Sequence, residues 1–216
     1  PNEIHVDLSG GLVSGLTLEQ IRVLLRWVHE QQGHVTRIDC ALDDRAGTVP
    51  IATIRQAVAD GHCVTRAAQM RQIVSNLTRG TGATTGETMY FGSPQSQTLL
   101  RIYDKRLEMQ SKERENWQEF GVRWELEFKK DRAELCARAL ANLDEADWKE
   151  CVVGLLRTYV NFRQVSKDAE DEDRYRAPML EWYALLTEGF QKGRLAQEKQ
   201  VQTLQNVKRW VSDTLT

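Results

Sequence analysis

Three segments of the chain alternate apolar and polar side chains with a period of two. In Thr36–Asp43, TRIDCALD, one side collects Ile38, Cys40 and Leu42, the other Arg37, Asp39, Ala41 and Asp43. In Leu99–Lys105, LLRIYDK, Leu100, Ile102 and Asp104 oppose Arg101, Tyr103 and Lys105. In Gly121–Lys129, GVRWELEFK, Val122, Trp124, Leu126 and Phe128 oppose Arg123, Glu125, Glu127 and Lys129. This alternation predicts strands with one covered face and one wet face. Ile4–Leu8 and Glu87–Phe91 read as shorter strands. Elsewhere the apolar period lengthens to that of a helix. Thr17 and Gln20 form a capping box ahead of Ile21, Leu24, Leu25 and Val28, and Gly33 stops that helix. Pro50 opens a second helix with Ile51, Ile54, Ala57 and Val58 inward and Gly61 as its stop. Helices over Arg132–Asn142 and Asp147–Val160 carry Leu135, Ala139 and Leu143, then Trp148, Val152, Leu155 and Leu156, to cover the oily sheet face. Met179–Gly189 continues the helical spacing with Leu180, Tyr183 and Leu186. Leu195–Leu215 reads as a helical tail whose stripe of Leu204, Val207, Val211 and Leu215 either docks on its own domain or pairs two copies as a homodimer. Cys63–Thr78 fits a helix and an extended segment equally. The expected class is α+β: a central antiparallel sheet with helices on one face, one domain over 1–165 and a C-terminal helical extension over 166–216.

The wet faces change the picture. If the three long strands are neighbours, Asp39, Glu125 and Glu127 gather near Tyr103, which Arg101 and Lys105 flank. Crowded carboxylates repel unless a cation sits among them, and oxygen-only ligands suit Mg²⁺ or Mn²⁺. A tyrosine, an acidic cage and basic neighbours can together attack a phosphodiester. A plain cross-strand ladder of aromatic and charged pairs on a solvated face accounts for the same pattern. The turn Gly92–Gln97 offers Ser93, Ser96 and backbone amides to a phosphate, or is only a hairpin turn.

RIDCALDD, YFGSPQSQTLLRIYDKRLE and VRWELEFKKDRA resemble, in this order, motifs of the replication initiation factor family, which includes rolling-circle initiators of plasmids and filamentous phages and related relaxases of integrative elements. The resemblance is good over roughly 34–135. It implies a metal-dependent, sequence-specific enzyme that nicks and joins DNA over 1–165. Tyr103 would attack a strand at an origin, become linked to the 5′ phosphate and leave a 3′ hydroxyl. Asp39 and one or both of Glu125 and Glu127 would hold the metal, with Arg101 and Lys105 assisting. Arg37, Arg123, Lys129, Ser93 and Ser96 would contact DNA, single-stranded or extruded, with a helicase as a further partner. A conjugative relaxase, or a regulator that binds DNA without cutting it, would share these motifs. His5, His29, His34 and His62 are never paired across one apolar residue, which disfavours a histidine-based nuclease site and the usual zinc spacings.

The net charge of −2 does not mark a nucleic-acid binder as a whole, so binding must rest on local segregation. Basic residues cluster at Arg66–Arg79 and Arg101–Arg114, acids at Asp144–Asp147 and Asp168–Asp173. Ser166–Arg176 reads as a charged linker. Cys40, Cys63, Cys136 and Cys151 form no CxxC pair and read as reduced core residues of a cytoplasmic protein. No apolar run is long enough to span a membrane.

Overall fold

The period-two segments do become neighbouring strands, and their apolar sides share one core. The computed structural model describes residues 5–8, 10–13, 15–77, 84–115, 117–166 and 168–188. Strands β1 (Arg37–Asp44), β2 (Cys63–Thr65), β3 (Met70–Leu77), β4 (Thr84–Phe91), β5 (Thr98–Asp104), β6 (Val122–Lys129) and β7 (Val160–Phe162) form two sheets. The main one is antiparallel, in the order β1-β6-β5-β4-β3; β2 and β7 pair separately. Cys40, Leu42, Phe91, Leu100, Ile102, Trp124, Leu126 and Phe128 are all buried on its inner face.

Helices α1 (Gly10–Val13), α2 (Leu18–Glu30), α3 (Ile51–Ala59), α4 (Lys105–Ser111), α5 (Asp131–Ala141), α6 (Glu145–Tyr159), α7 (Asp171–Arg176) and α8 (Glu181–Glu188), with a short 3-10 turn over Trp117–Glu119, complete the described elements. The capping box on α2 forms as expected: Gln20 N–H donates to the Thr17 hydroxyl, and Thr17 N–H donates to the Gln20 amide oxygen. Helix α5 buries Ala133, Cys136, Ala137, Leu140 and Ala141. These mostly small side chains let the helix sit close against the sheet, so Leu135, expected inward, points to solvent at 37 % exposure.

Tyr183 of α8 lies wholly within the core, edge-on to Phe162 at 5.3 Å, and its hydroxyl donates to the Val160 carbonyl at 2.8 Å. The expected tail over Leu195–Leu215 lies outside the described residues. So do Ile4 and residues 78–83.

Several boundaries differ from the pattern. Residues 5–8 take no regular structure, and Val6 is exposed, so the alternation there finds no partner strand. The segment from Cys63, open on pattern alone, supplies two strands, β2 and β3, and no helix as far as Leu77. Lys105 is not on a strand. The Asp104 carboxylate accepts from Leu107 N–H at 2.9 Å and starts α4 at once, so Lys105 is its first residue. Helix α7 takes up the last part of the expected charged linker.

Two close approaches fix the ends of the site strands. Gly92 (φ +101°) turns the chain after β4, where an added Cβ would stand 2.5 Å from the Tyr159 hydroxyl. That hydroxyl is shared between the carbonyls of Phe91 (3.2 Å) and Thr98 (3.1 Å), so α6 clamps the β4–β5 turn. Gly121, just before β6, passes so near β1 that a Cβ would lie 2.1 Å from the Asp44 carbonyl oxygen.

Candidate active site

Register turns the outer face of the sheet into three polar rungs. The first runs Asp39 (β1) to Glu127 (β6) to Leu99 (β5). The second runs Ala41, Glu125, Arg101, Tyr90 (β4) and Arg71 (β3). The third runs Asp43, Arg123, Tyr103, Thr88 and Ile73. Adjacent rungs place Tyr103 diagonal to Glu125, within reach of a long side chain.

The Tyr103 hydroxyl donates to Glu125 Oε2 at 3.1 Å. The other oxygen of that carboxylate, Oε1, is paired with Arg101 Nη2. The same nitrogen lies 3.1 Å from Asp39 Oδ2 and 3.3 Å from Glu127 Oε2. The expected trio of acids is therefore assembled, and a cation stands among them. That cation is a side chain of the protein. Glu127 is the most buried of the three, at 4 % exposure, and Arg37 Nη2 (2.8 Å) and Lys129 Nζ (2.6 Å) also neutralise it. The donor set is right in kind for a hard divalent ion. As it stands, however, no group of three or more His, Cys, Asp or Glu side chains among the described residues is arranged to hold a metal by itself.

Tyr103 is not pre-activated. Burial raises its phenol pKa well above the ordinary value; the charge of Glu125 adds to the rise and Arg123 opposes it. The Lys105 ammonium, expected beside it on the strand, reaches it from α4. It sits 5.8 Å from the ring centroid while bonded to Glu108 at 2.7 Å. Burial works to raise the Glu108 carboxyl, but the bond from Lys105 and a second from Lys112 Nζ hold it below its usual range.

The residues expected to touch DNA are all present on or beside this face, and each already has bonds. Arg37 forks onto Asp39 through Nε (2.9 Å) and Nη2 (2.7 Å). Arg123 forks onto Asp43 (2.6 and 2.7 Å), which raises the pKa of its guanidinium further despite burial. Lys129 also donates to the Pro94 carbonyl at 2.7 Å. In the turn, Ser96 N–H donates to the Ser93 carbonyl (2.9 Å), Ser93 N–H to the Ser96 hydroxyl (3.4 Å), and the Ser93 hydroxyl to Gln95. Any phosphate arriving here exchanges partners with groups already satisfied.

One pair escaped the pattern. Arg71 stacks on Tyr90, its guanidinium carbon 5.1 Å from the ring centroid, at the far end of the Glu125–Arg101 rung. The alternation of Met89, Tyr90 and Phe91 already put Tyr90 on the wet face. Only the strand character of Met70–Leu77 was needed to bring Arg71 to it.

Comparison with known proteins agrees with this fold. The replication initiation factor family pattern matches residues 33–216. NicK, a candidate DNA relaxase of Bacillus subtilis, is 30% identical over 135 residues, which is 62% of this chain and 38% of that protein. The structure of a rolling-circle replication initiator protein from Geobacillus stearothermophilus superposes with a TM-score of 0.62 at 30% identity, covering 76% of this chain and 58% of the other. The chain thus spans less than two thirds of either relative's length. Among the described residues no helix is long and apolar enough to cross a membrane. With the match extending over most of its length, the chain belongs to the replication initiation factor family.

Proposed function

We propose that the chain is the catalytic part of a DNA-nicking and strand-joining enzyme, with Tyr103 as nucleophile. The hydrogen bond from the Tyr103 hydroxyl to Glu125, on a wet sheet face lined with cations, carries this reading. The phenol oxygen attacks the phosphorus of a backbone phosphodiester while its proton passes to Glu125. The bond from phosphorus to the 3′ oxygen breaks, that oxygen takes a proton from water and leaves as a 3′ hydroxyl, and the 5′ phosphate stays on the tyrosine. The ester keeps the energy of the phosphodiester, so the reverse attack by a 3′ hydroxyl rejoins a strand. A divalent ion held by Asp39, Glu125 and Glu127 would neutralise charge on the phosphate. Arg101 and Lys105 supply cations next to the phenol, and Arg37, Arg123 and Lys129 line the path of the backbone. Ser93 and Ser96 border that path from the β4–β5 turn.

The target strand must be single or extruded, since a phenol fixed on a sheet cannot reach a phosphorus that a duplex keeps out of line. The initiator and relaxase relatives support DNA as the substrate, and the chemistry serves replication or transfer alike. The test uses a negatively supercoiled plasmid carrying the DNA that flanks the gene, incubated with Mn²⁺. Open circles with covalently bound protein are expected, and Tyr103→Phe should yield none while still shifting DNA on a gel. Binding without nicking by the unaltered chain would instead make it a DNA-binding regulator.

A further inference from the structure

Arginine meets a carboxylate best as a planar fork, with two parallel N–H···O bonds. Two examples stand on this very face, Arg37 on Asp39 and Arg123 on Asp43. Arg101 breaks the rule. One nitrogen, Nη2, serves three carboxylates on two neighbouring strands, while its buried Nε has no hydrogen-bond partner. A guanidinium used through a single atom, with oxygens converging from several sides, behaves as a point charge. That is the way a hard metal ion uses the same ligands.

We propose that Arg101 is a built-in counter-cation: its Nη2 occupies the position among Asp39, Glu125 and Glu127 that a divalent ion takes, and the ion enters only as the guanidinium leaves. The proposal rests on the nuclease reading and specifies how its acids are regulated. Without Arg101 or an ion, three carboxylates, one of them 4 % exposed, would face one another with only Arg37 and Lys129 at the edge. Arg101 keeps the acids gathered while no ion is present. The exchange has a second effect. A displaced Arg101 loses its carboxylates and is left as an unpaired cation beside Tyr103, the group that a phosphodiester oxygen pairs with. Ion entry and readiness for DNA backbone then become one event.

The test is Mn²⁺ binding without DNA, by titration calorimetry on the whole chain. Arg101→Gln should bind Mn²⁺ at least tenfold more tightly than the unaltered protein. It should also melt lower without metal and gain more from added Mn²⁺. Equal affinity in the two proteins, with binding weakened by Glu125→Gln, overturns the displacement and leaves the metal site standing. No Mn²⁺ binding to either protein overturns both. If Arg101→Gln does not fold, the unaltered protein with ¹⁵N-labelled arginine decides. Diamagnetic Mg²⁺ should shift and broaden the Arg101 side-chain resonance, and an unchanged resonance at saturating Mg²⁺ refutes the exchange.

Discussion

Glu125→Gln separates two opposite effects of one carboxylate. The Tyr103 phenol is raised first by burial and next by the Glu125 charge. Removing that charge while keeping the side chain's size should therefore lower the phenol pKa and enlarge the phenolate fraction at any given pH. On simple nucleophile chemistry the variant would cut faster. The structure predicts the reverse, because the Tyr103 hydroxyl donates directly to Glu125 Oε2 at 3.1 Å and an amide oxygen cannot take the proton. Loss of a positioned proton acceptor costs about two to four orders of magnitude in rate, or roughly 3–5 kcal/mol of barrier. The assay is single-turnover formation of the protein–DNA adduct on a 3′-labelled single strand, repeated across Mn²⁺ concentrations. Metal loss and base loss part company there, since the defect should persist at saturating Mn²⁺. Ultraviolet titration against Tyr103→Phe isolates the phenol itself. A rate restored by saturating Mn²⁺, or a faster adduct with a lowered phenol pKa, would refute Glu125 as the proton acceptor.

Other substitutions probe the frame. Gly121→Ala sets a Cβ 2.1 Å from a backbone oxygen of β1, so one strand must move; about 1–3 kcal/mol or more of stability should go, read as a drop in urea midpoint. Tyr159→Phe removes the clamp on the Phe91 and Thr98 carbonyls, for which about 1–3 kcal/mol is expected by the same measurement, with an unchanged midpoint as the contrary result. Burial pushes the Cys63 thiol up to about 12, so at pH 8 its alkylation by iodoacetamide should lag far behind that of free cysteine. Alkylation at the free rate would show that the thiol opens readily to solvent.

Much of the site was legible in the residues because period-two alternation assigns faces directly. Asp39, Arg101, Tyr103, Glu125 and Glu127 all stand on the wet face. What alternation cannot convey is register, and pairing depends on it. Asp39 meets Glu127 across β1 and β6, and Arg101 meets Glu125 across β5 and β6, which is how the guanidinium comes to sit where a metal was expected. Lys105 was placed on the strand because the side-chain period runs on through Asp104, whereas the capping carboxylate there ends the strand. Strand β3 stayed hidden for a different reason. At the edge of the sheet, Met70 and Ile73 are 49 % and 41 % exposed, so burial imposes little pattern on the first half of the strand, MRQI. Leu135 misled because α5 packs through alanines and a cysteine, which hydrophobic spacing weighs less than leucine.

The nucleophile itself can be read chemically. After the supercoiled plasmid has been nicked, exhaustive nuclease and protease digestion leaves a peptide still bearing its nucleotide, and fragmentation in a mass spectrometer locates it. The account predicts a nucleoside 5′-phosphate on the Tyr103 oxygen. A nucleotide on any other residue, or accumulating nicks with no adduct, would contradict it.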